Sequence, residues 1–346
     1  MRKVLVTGGA GMIGSNLVRV LALMGDDVYV VDNLWRGKLD YLRDDDGKEI
    51  IDFKTRFYNR DLSIAGSCDD LVQKVDYVVH LADVVAGIDF VFDNQGLLFR
   101  QNLLINSNVI NSARKAKGHL KGFLYAGTAC SFPETRQNSL VAIPLKEEEL
   151  YPAQPESAYG WSKLMGQYET ELMGAETGIP VCNLMFHNVY GTPCDYGKRS
   201  QVIPALIRKA INFPDEPFVV WGSGNQGRAF IHVDDVVHAI ILALEKGLDM
   251  GVIQIGPSIS TSIREIAEMV VEISGKSIEI VYDTTKPEGD KARSADFSKA
   301  QKVLGWSPQI SLKEGLEKQY MWVKSAIENK EHRHRVHEKI YSIIDK

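Results

Sequence analysis

Four side chains have the types and spacing for chemistry. Thr128 and Cys130 close the apolar run "GFLYAGTAC", and Tyr159 and Lys163 stand four apart in "SAYGWSK". On a helix that spacing places phenol and ammonium on one face. The ammonium favours the phenolate, and bringing a tyrosine from about 10 towards neutrality takes roughly 4 kcal/mol of such stabilisation. A phenolate so prepared takes the proton of a hydroxyl while the carbon beneath gives up hydride. Thr128 offers a hydroxyl at the end of a strand. Cys130 has two readings, packing at the strand end or an acid/base, because a thiol near about 8.5 can be tuned to neutral pH by nearby charge.

Hydride needs an acceptor, and the N-terminus supplies a place for one. "VTGGAGMIG" sets Thr7, Gly8, Gly11 and Gly14, with Met12 and Ile13 between them, after an apolar strand and at the start of a helix. Glycines permit a tight turn and close approach to a diphosphate, whose charge sits at the helix N-terminus. Asp32 closes the second strand in "VYVVDNL", followed by Asn33. A carboxylate there accepts hydrogen bonds from an adenosine ribose and repels a 2′-phosphate, so NAD is expected. Arg36 and Lys38 keep NADP as the alternative. Asp61 and Leu62 after the third strand are candidates for the adenine, and Leu81 and Ala82 at the end of the fourth complete the cofactor set.

These residues must be held by alternating elements. "KVLVT", "DVYVV", "FKTRFY", "YVVHLA" and "GFLYAG" read as buried strands, separated in part by helical patterns at 12–24, 63–74 and 94–117. A helix over 156–177 and a strand at Val181–Phe186 follow. The alternation predicts an α/β, doubly wound (Rossmann) parallel sheet. Beyond Gly191 the pattern is less regular, with helices expected near 202–212, 262–274 and 312–326 and a short strand at 218–221. The expected division is a cofactor domain over 1–190, a smaller mixed α/β substrate lobe over 191–330 with some chain crossing, and a tail over 331–346. His332, His334 and His337 in that tail read as a solvated basic helix before a metal site.

Composition narrows the class. A chain of 346 residues, 45% apolar and 25% charged, is that of an ordinary globular protein. A net charge of -5 offers no basic field for nucleic acid. No apolar run reaches membrane-spanning length. Cys68, Cys130, Cys182 and Cys194 form no CxxC pair, which suits reduced thiols in a cytoplasm. Glycines arrive too early at the N-terminus for a signal peptide. A cytoplasmic location is expected.

Together these motifs resemble the extended short-chain dehydrogenase/reductases of the nucleotide-sugar epimerase/dehydratase group. TGxxGxxG is Thr7–Gly14, the catalytic hydroxyl is Thr128, and YxxxK is Tyr159–Lys163. Asn102 in "RQNLLINSN" matches the helical asparagine near that group's active site. "FHNVYG" supplies Asn188, "GRAFIHVDD" supplies Arg228 and "PEGDKARSAD" supplies Arg293, which the resemblance implies contact the diphosphate of a nucleotide sugar. Guanidinium forks suit phosphate oxygens. A nucleoside-diphosphate sugar is therefore the expected partner, NAD the expected cofactor, no metal is required, and a homodimer is expected.

The stretch after Thr128 bears on the reaction. The 4,6-dehydratases of the group place an Asp-Glu pair where this chain has Ala129 and Cys130, so dehydration lacks its usual carboxylates. "TACSFPE" is instead similar to the segment of GDP-mannose 3,5-epimerases in which a cysteine exchanges protons. Those epimerases also carry a lysine before the helix that follows NxYG, where this chain has Val202, with Lys198 and Arg199 a few residues earlier. Met185 stands where an arginine is common, and His187 reads as a packing histidine. The expectation is NAD-dependent epimerisation through transient oxidation at C4 of the sugar, inverting one centre or both C3 and C5. C4 epimerisation, dehydrogenation or dehydration is the alternative, and a sensor without turnover a distant one.

Overall fold

The structure, a computed structural model, describes residues 1–85, 87–197 and 200–344, with side chains for all of these except 88, 89 and 330–344. Lys198, Arg199 and the three tail histidines therefore lie outside the described side chains. Seven parallel strands form one sheet: Lys3–Thr7, Asp27–Asp32, Phe57–Asn59, Tyr77–His80, Gly122–Thr128, Val181–Phe186 and Val252–Ile255. Numbered along the chain, they lie in the order 3-2-1-4-5-6-7. The order reverses between the first and fourth strands, and a cleft opens at the carboxyl ends of the strands there.

Side-chain alternation explains how helices cover both faces. Val4 and Val6 point to one face and pack with Leu17, Val18 and Leu21 of the helix Met12–Leu23 and with Val236 and Ile240 of the helix Val233–Leu242. Leu5 points to the other face, with Val109 and Ile110 of Gln95–Lys115 and Met173 of Ala158–Thr177. A strand buried on both faces reads as a continuous β-branched run, which is why these strands were visible in the sequence.

Three local expectations are corrected. "FKTRFY" is not a strand throughout: Asp52 accepts from the Lys54 amide at 2.9 Å and caps a helical turn at Phe53–Arg56, leaving only Phe57–Asn59 extended. The helix expected over 63–74 shrinks to Asp69–Val72, because an Asp61 turn and Gly66 at φ +77° break it. The last helix runs further than expected, Leu312–Ile344.

A second apolar cluster gathers Ile203, Leu206 and Ile207 of Val202–Asn212, Ile266 and Val270 of Ile263–Ser274, and Leu316 and Val323, around Phe218, Val220 and Phe230. The chain returns from this lobe to the sheet: Val252–Ile255 is its edge strand, and Ala300, Leu304 and Trp306 join the first cluster. Among the described residues no helix is long and apolar enough to cross a membrane, and no group of His, Cys, Asp and Glu is arranged to hold a metal ion.

Candidate active site

A cavity of about 780 Å³ runs from the carboxyl ends of the strands into the second lobe. Its cofactor end is built from backbone. Gly8 adopts φ +67°, and a Cβ there would come within 2.9 Å of Ala82. A Cβ on Gly14 would stand 2.3 Å from the Gly8 carbonyl, so only glycine lets the helix pack into the turn. Gly11 caps that helix with no side chain, and the first amide to find an intrahelical acceptor is Ser15, on Gly11. The amides of the first turn thus face the cavity as donors for an anion.

Asp32 is buried, its Oδ2 accepting from Ala10 N at 3.0 Å and its Oδ1 from Leu34 N at 2.8 Å. Burial raises its pKa, and the two amides oppose that rise. Its remaining lone pairs suit the hydroxyls of a ribose. Arg36 is engaged elsewhere, donating to the Val85 carbonyl at 2.8 Å and pairing with Asp195 at 3.7 Å. The Lys38 ammonium lies over the Tyr41 ring. Arg36 is thus committed away from a 2′-phosphate. Met12, Ile13, Asn33, Asp61, Leu62, Leu81 and Ala82 all line the cavity as expected.

Asn102 does not line it. Its Oδ1 accepts from Val84 N at 2.8 Å and its Nδ2 donates to Val84 O at 3.2 Å, so the side chain fixes the loop after the fourth strand. Thr7 fixes the same loop from the other side: its hydroxyl accepts from the Leu81 and Ala82 amides, each at 3.1 Å, and bonds His80 Nδ1 at 2.7 Å. His80 Nε2 meets Asn106 Oδ1 at 3.0 Å. Burial and the charge of Lys163 push His80 down to about 3, so it is neutral.

At the chemical end, Ser157 caps the helix Ala158–Thr177 by accepting from Gly160 N at 3.3 Å. A Cβ on Gly160 would lie 2.1 Å from the Cys130 carbonyl, so this glycine brings the helix against the turn that follows the fifth strand. The result places Tyr159, Lys163, Thr128 and Cys130 on one wall. The Thr128 hydroxyl accepts from Cys130 N at 3.3 Å and hydrogen-bonds the Tyr159 phenol. Lys163 and Asp83 form a buried ion pair at 3.0 Å.

The protein's own groups oppose the Tyr159 phenolate. Burial, then Asp83 and then Cys130, hold it well above 10, against the hydrogen bond from Thr128 and the charge of Arg36. The lysine that should lower it is already paired.

Across the cavity, Arg293 is buried and donates through Nη1 to Cys130 Sγ at 3.3 Å and through Nη2 to Asp290 Oδ2 at 2.6 Å. Arg228 donates to the carbonyls of Gly227 at 2.8 Å, Asp290 at 2.7 Å and Glu288 at 3.2 Å. Burial and Arg293 push it down to about 10. The pair expected as a diphosphate clamp thus lines the cavity with its donors partly engaged. Asn188 lines it too, on a short strand paired with Phe230–His232. Glu156, which sequence reasoning passed over, accepts from Asp290 N at 3.3 Å; burial and Asp290 raise its carboxyl against the pull of Arg293. His187 packs as expected, meeting Gln254 at 3.1 Å, and burial pushes it down to about 4. Val202 presents an apolar surface to the cavity.

Residues 4–256 match the NAD dependent epimerase/dehydratase family. The chain belongs to that family. It is 33% identical over 327 residues to GDP-mannose 3,5-epimerase of Arabidopsis thaliana, covering 94% of this chain and 83% of that protein. Its fold superposes on UDP-glucose 4-epimerase of Thermotoga maritima, solved with UDP-glucose, with a TM-score of 0.81, 27% identity and coverage of 94% and 99%. UDP-glucuronic acid 4-epimerase of Bacillus cereus, solved with UDP-glucuronic acid and NAD, matches with a TM-score of 0.77, 27% identity and the same coverage. The protein is an NAD-dependent enzyme of the nucleotide-sugar epimerase/dehydratase family. The glycine turn, the free helix amides and the ribose-facing Asp32 fit that cofactor.

Proposed function

We propose that the enzyme epimerises a GDP-linked hexose through transient oxidation at C4, with Cys130 exchanging a proton on a carbon next to C4. Gly8, Gly11, Gly14 and Asp32 would hold NAD, which would supply the acceptor for the C4 hydride. In this reading Tyr159 takes the proton of the C4 hydroxyl, and Thr128 donates a hydrogen bond to the oxygen as charge develops on it. A C4 ketone makes the protons on C3 and C5 acidic. Cys130 removes one on its own face and passes it to solvent, and water returns a proton to the opposite face, so the sugar leaves with its original oxidation state and one inverted centre for each exchange.

The observation that carries this reading is the place of Cys130. Its sulfur faces the cavity on the same wall as Tyr159 and receives the Arg293 guanidinium at 3.3 Å. A thiol used only for packing has no need of a buried cation. The 33% relative, named for 3,5-epimerisation of a GDP-sugar, supports GDP over the UDP of the structural neighbours. Asn188, Arg228 and the strand Val219–Trp221 surround the space left for the nucleotide. Val202 favours a single exchange by Cys130 over two, because it offers no proton. A homodimer in solution completes the reading, and light scattering measures it.

The test is turnover of GDP-mannose in heavy water, read by NMR of the recovered sugar. Wild-type enzyme places deuterium at C3 or C5, and Cys130→Ala and Cys130→Ser place none. Inversion at C4 alone with no deuterium would sink the role of the thiol and leave a 4-epimerase.

A further inference from the structure

Lys163 is the residue expected to favour the Tyr159 phenolate, yet its charge is already matched. Its Nζ lies 3.0 Å from Asp83 Oδ2, with the two side chains 4% and 6% exposed, and 4.5 Å over the ring of Tyr125. Asp83 sits in the loop that Thr7 and Asn102 fix from both sides. Thr7 Oγ1 holds the amides of Leu81 and Ala82, and Asn102 holds both backbone groups of Val84. Val84 N also donates to Asp83 Oδ1 at 3.0 Å. A carboxylate fixed this firmly cannot follow a departing partner, and a buried charge left alone is strongly disfavoured. Burial raises the Asp83 carboxyl while Lys163 and the Val84 amide hold it down, so the pair ties this loop to the catalytic wall.

An isolated ammonium would stabilise the nearby phenolate. An ammonium with a carboxylate 3.0 Å away acts as a dipole, and its pull on a third group is largely cancelled. The other groups bearing on Tyr159 are Cys130 and Arg36 through charge and Thr128 through its hydrogen bond. Tyr125 lies under the Lys163 ammonium, and His80 beside it is neutral. None of these can replace the charge that Asp83 contributes.

We propose that Asp83 is a positioning residue that acts through Lys163: it offsets the ammonium one helical turn from Tyr159 and so sets the pH at which the phenol becomes a base. The inference rests on the reading of Tyr159 as that base. It assigns Asp83 a cost as well as a use. The resting enzyme keeps a neutral phenol, and Lys163 stays buried in one place.

The test follows the ionisation of Tyr159 itself, so it needs no knowledge of the sugar. The ultraviolet signal of tyrosinate is titrated in NAD-loaded protein, with the curve of Tyr159→Phe subtracted. Asp83→Asn keeps the shape and an acceptor for Lys163 but removes the charge, and is expected to bring the Tyr159 titration down by about one unit or more, a tenfold change in the ionisation constant. The acid limb of turnover on GDP-mannose should move to lower pH by the same amount, because activity is lost only below the pKa of the base. Replacing both partners, Lys163→Met with Asp83→Asn, should leave the titration within about 0.3 unit of the wild type, because the pull of the paired ammonium is already cancelled. The double variant leaves no buried charge unpaired, so it tests the proposal even if Asp83→Asn alone folds poorly. A titration unmoved by Asp83→Asn, or moved by about one unit or more in the double variant, would overturn the proposal and make Asp83 a counter-ion for folding only. Full turnover by Tyr159→Phe would instead remove the base itself, an outcome the titration distinguishes.

Discussion

The two ends of the cavity are built from different materials. The cofactor end is made of backbone: three glycines, a helix start and one carboxylate, drawn from the first strands of the sheet and close together in sequence. The chemical end is made of side chains from segments as far apart as Asp83, Cys130, Glu156, Arg228 and Arg293, joined by ion pairs and hydrogen bonds. Backbone recognition tolerates little change in residue type, because a Cβ in the wrong place closes the site. Side-chain recognition can be altered one contact at a time. That difference suits a family in which one cofactor serves many reactions, since the chemistry can vary while the cradle remains.

The comparison can be broken most directly at Tyr159. Tyr159→Phe keeps the ring and removes the proton acceptor, so turnover should fall by about a thousandfold. NAD and nucleotide-sugar binding, followed by calorimetry, should change little. Loss of binding as well as turnover would mean that the two ends are not separable.

Gly14→Ala attacks the other end. Its Cβ would stand 2.3 Å from the Gly8 carbonyl, so the turn must shift and NAD affinity should fall by at least about tenfold, or about 1.4 kcal/mol. The fluorescence of bound NADH measures this, and unchanged affinity would show that the turn is looser than its packing indicates.

Arg293→Ala should weaken substrate binding by about tenfold and also disturb Cys130, since one guanidinium holds both the thiol and Asp290. Its signature is a raised KM with reduced deuterium exchange for each turnover. A change in KM alone would return Arg293 to the diphosphate and detach it from the thiol.

A separate effect, away from turnover and binding, is on stability. His80 and His187 are buried neutral, pushed down to about 3 and about 4, whereas in the unfolded chain they take up protons near 6.5. The unfolded state therefore binds more protons, and stability should fall as pH drops from about 6.5 towards 4, by up to about 1.4 kcal/mol per pH unit for each histidine. Denaturant titrations across that range check it. Replacing His187 should flatten the slope without altering NAD affinity.

Much of this could be read before folding. The fold, the glycine turn, Asp32 and the pair Tyr159 and Lys163 each rest on local rules: alternation of side chains, the need for glycine in a tight turn, and the helical repeat of four. Cys130 was visible as a thiol at a strand end and through the likeness of "TACSFPE" to the 3,5-epimerase segment. Asp83 gave no signal, because nothing in "HLADVV" marks a carboxylate as buried or as the partner of a lysine eighty residues later. Glu156 was hidden for the same reason, and Arg228 and Arg293 were found by their motifs but not by their partners.

The sequence by itself determined which elements form and which cofactor they are built to hold, since both depend on contacts between near neighbours along the chain. Only the tertiary structure decided the electrostatics of the catalytic wall. It placed a carboxylate against Lys163, a guanidinium against Cys130, and a buried phenol above its ordinary range. The physical reason is that charges interact through space at 3 Å whatever their separation in sequence, and burial removes the water that would otherwise screen them.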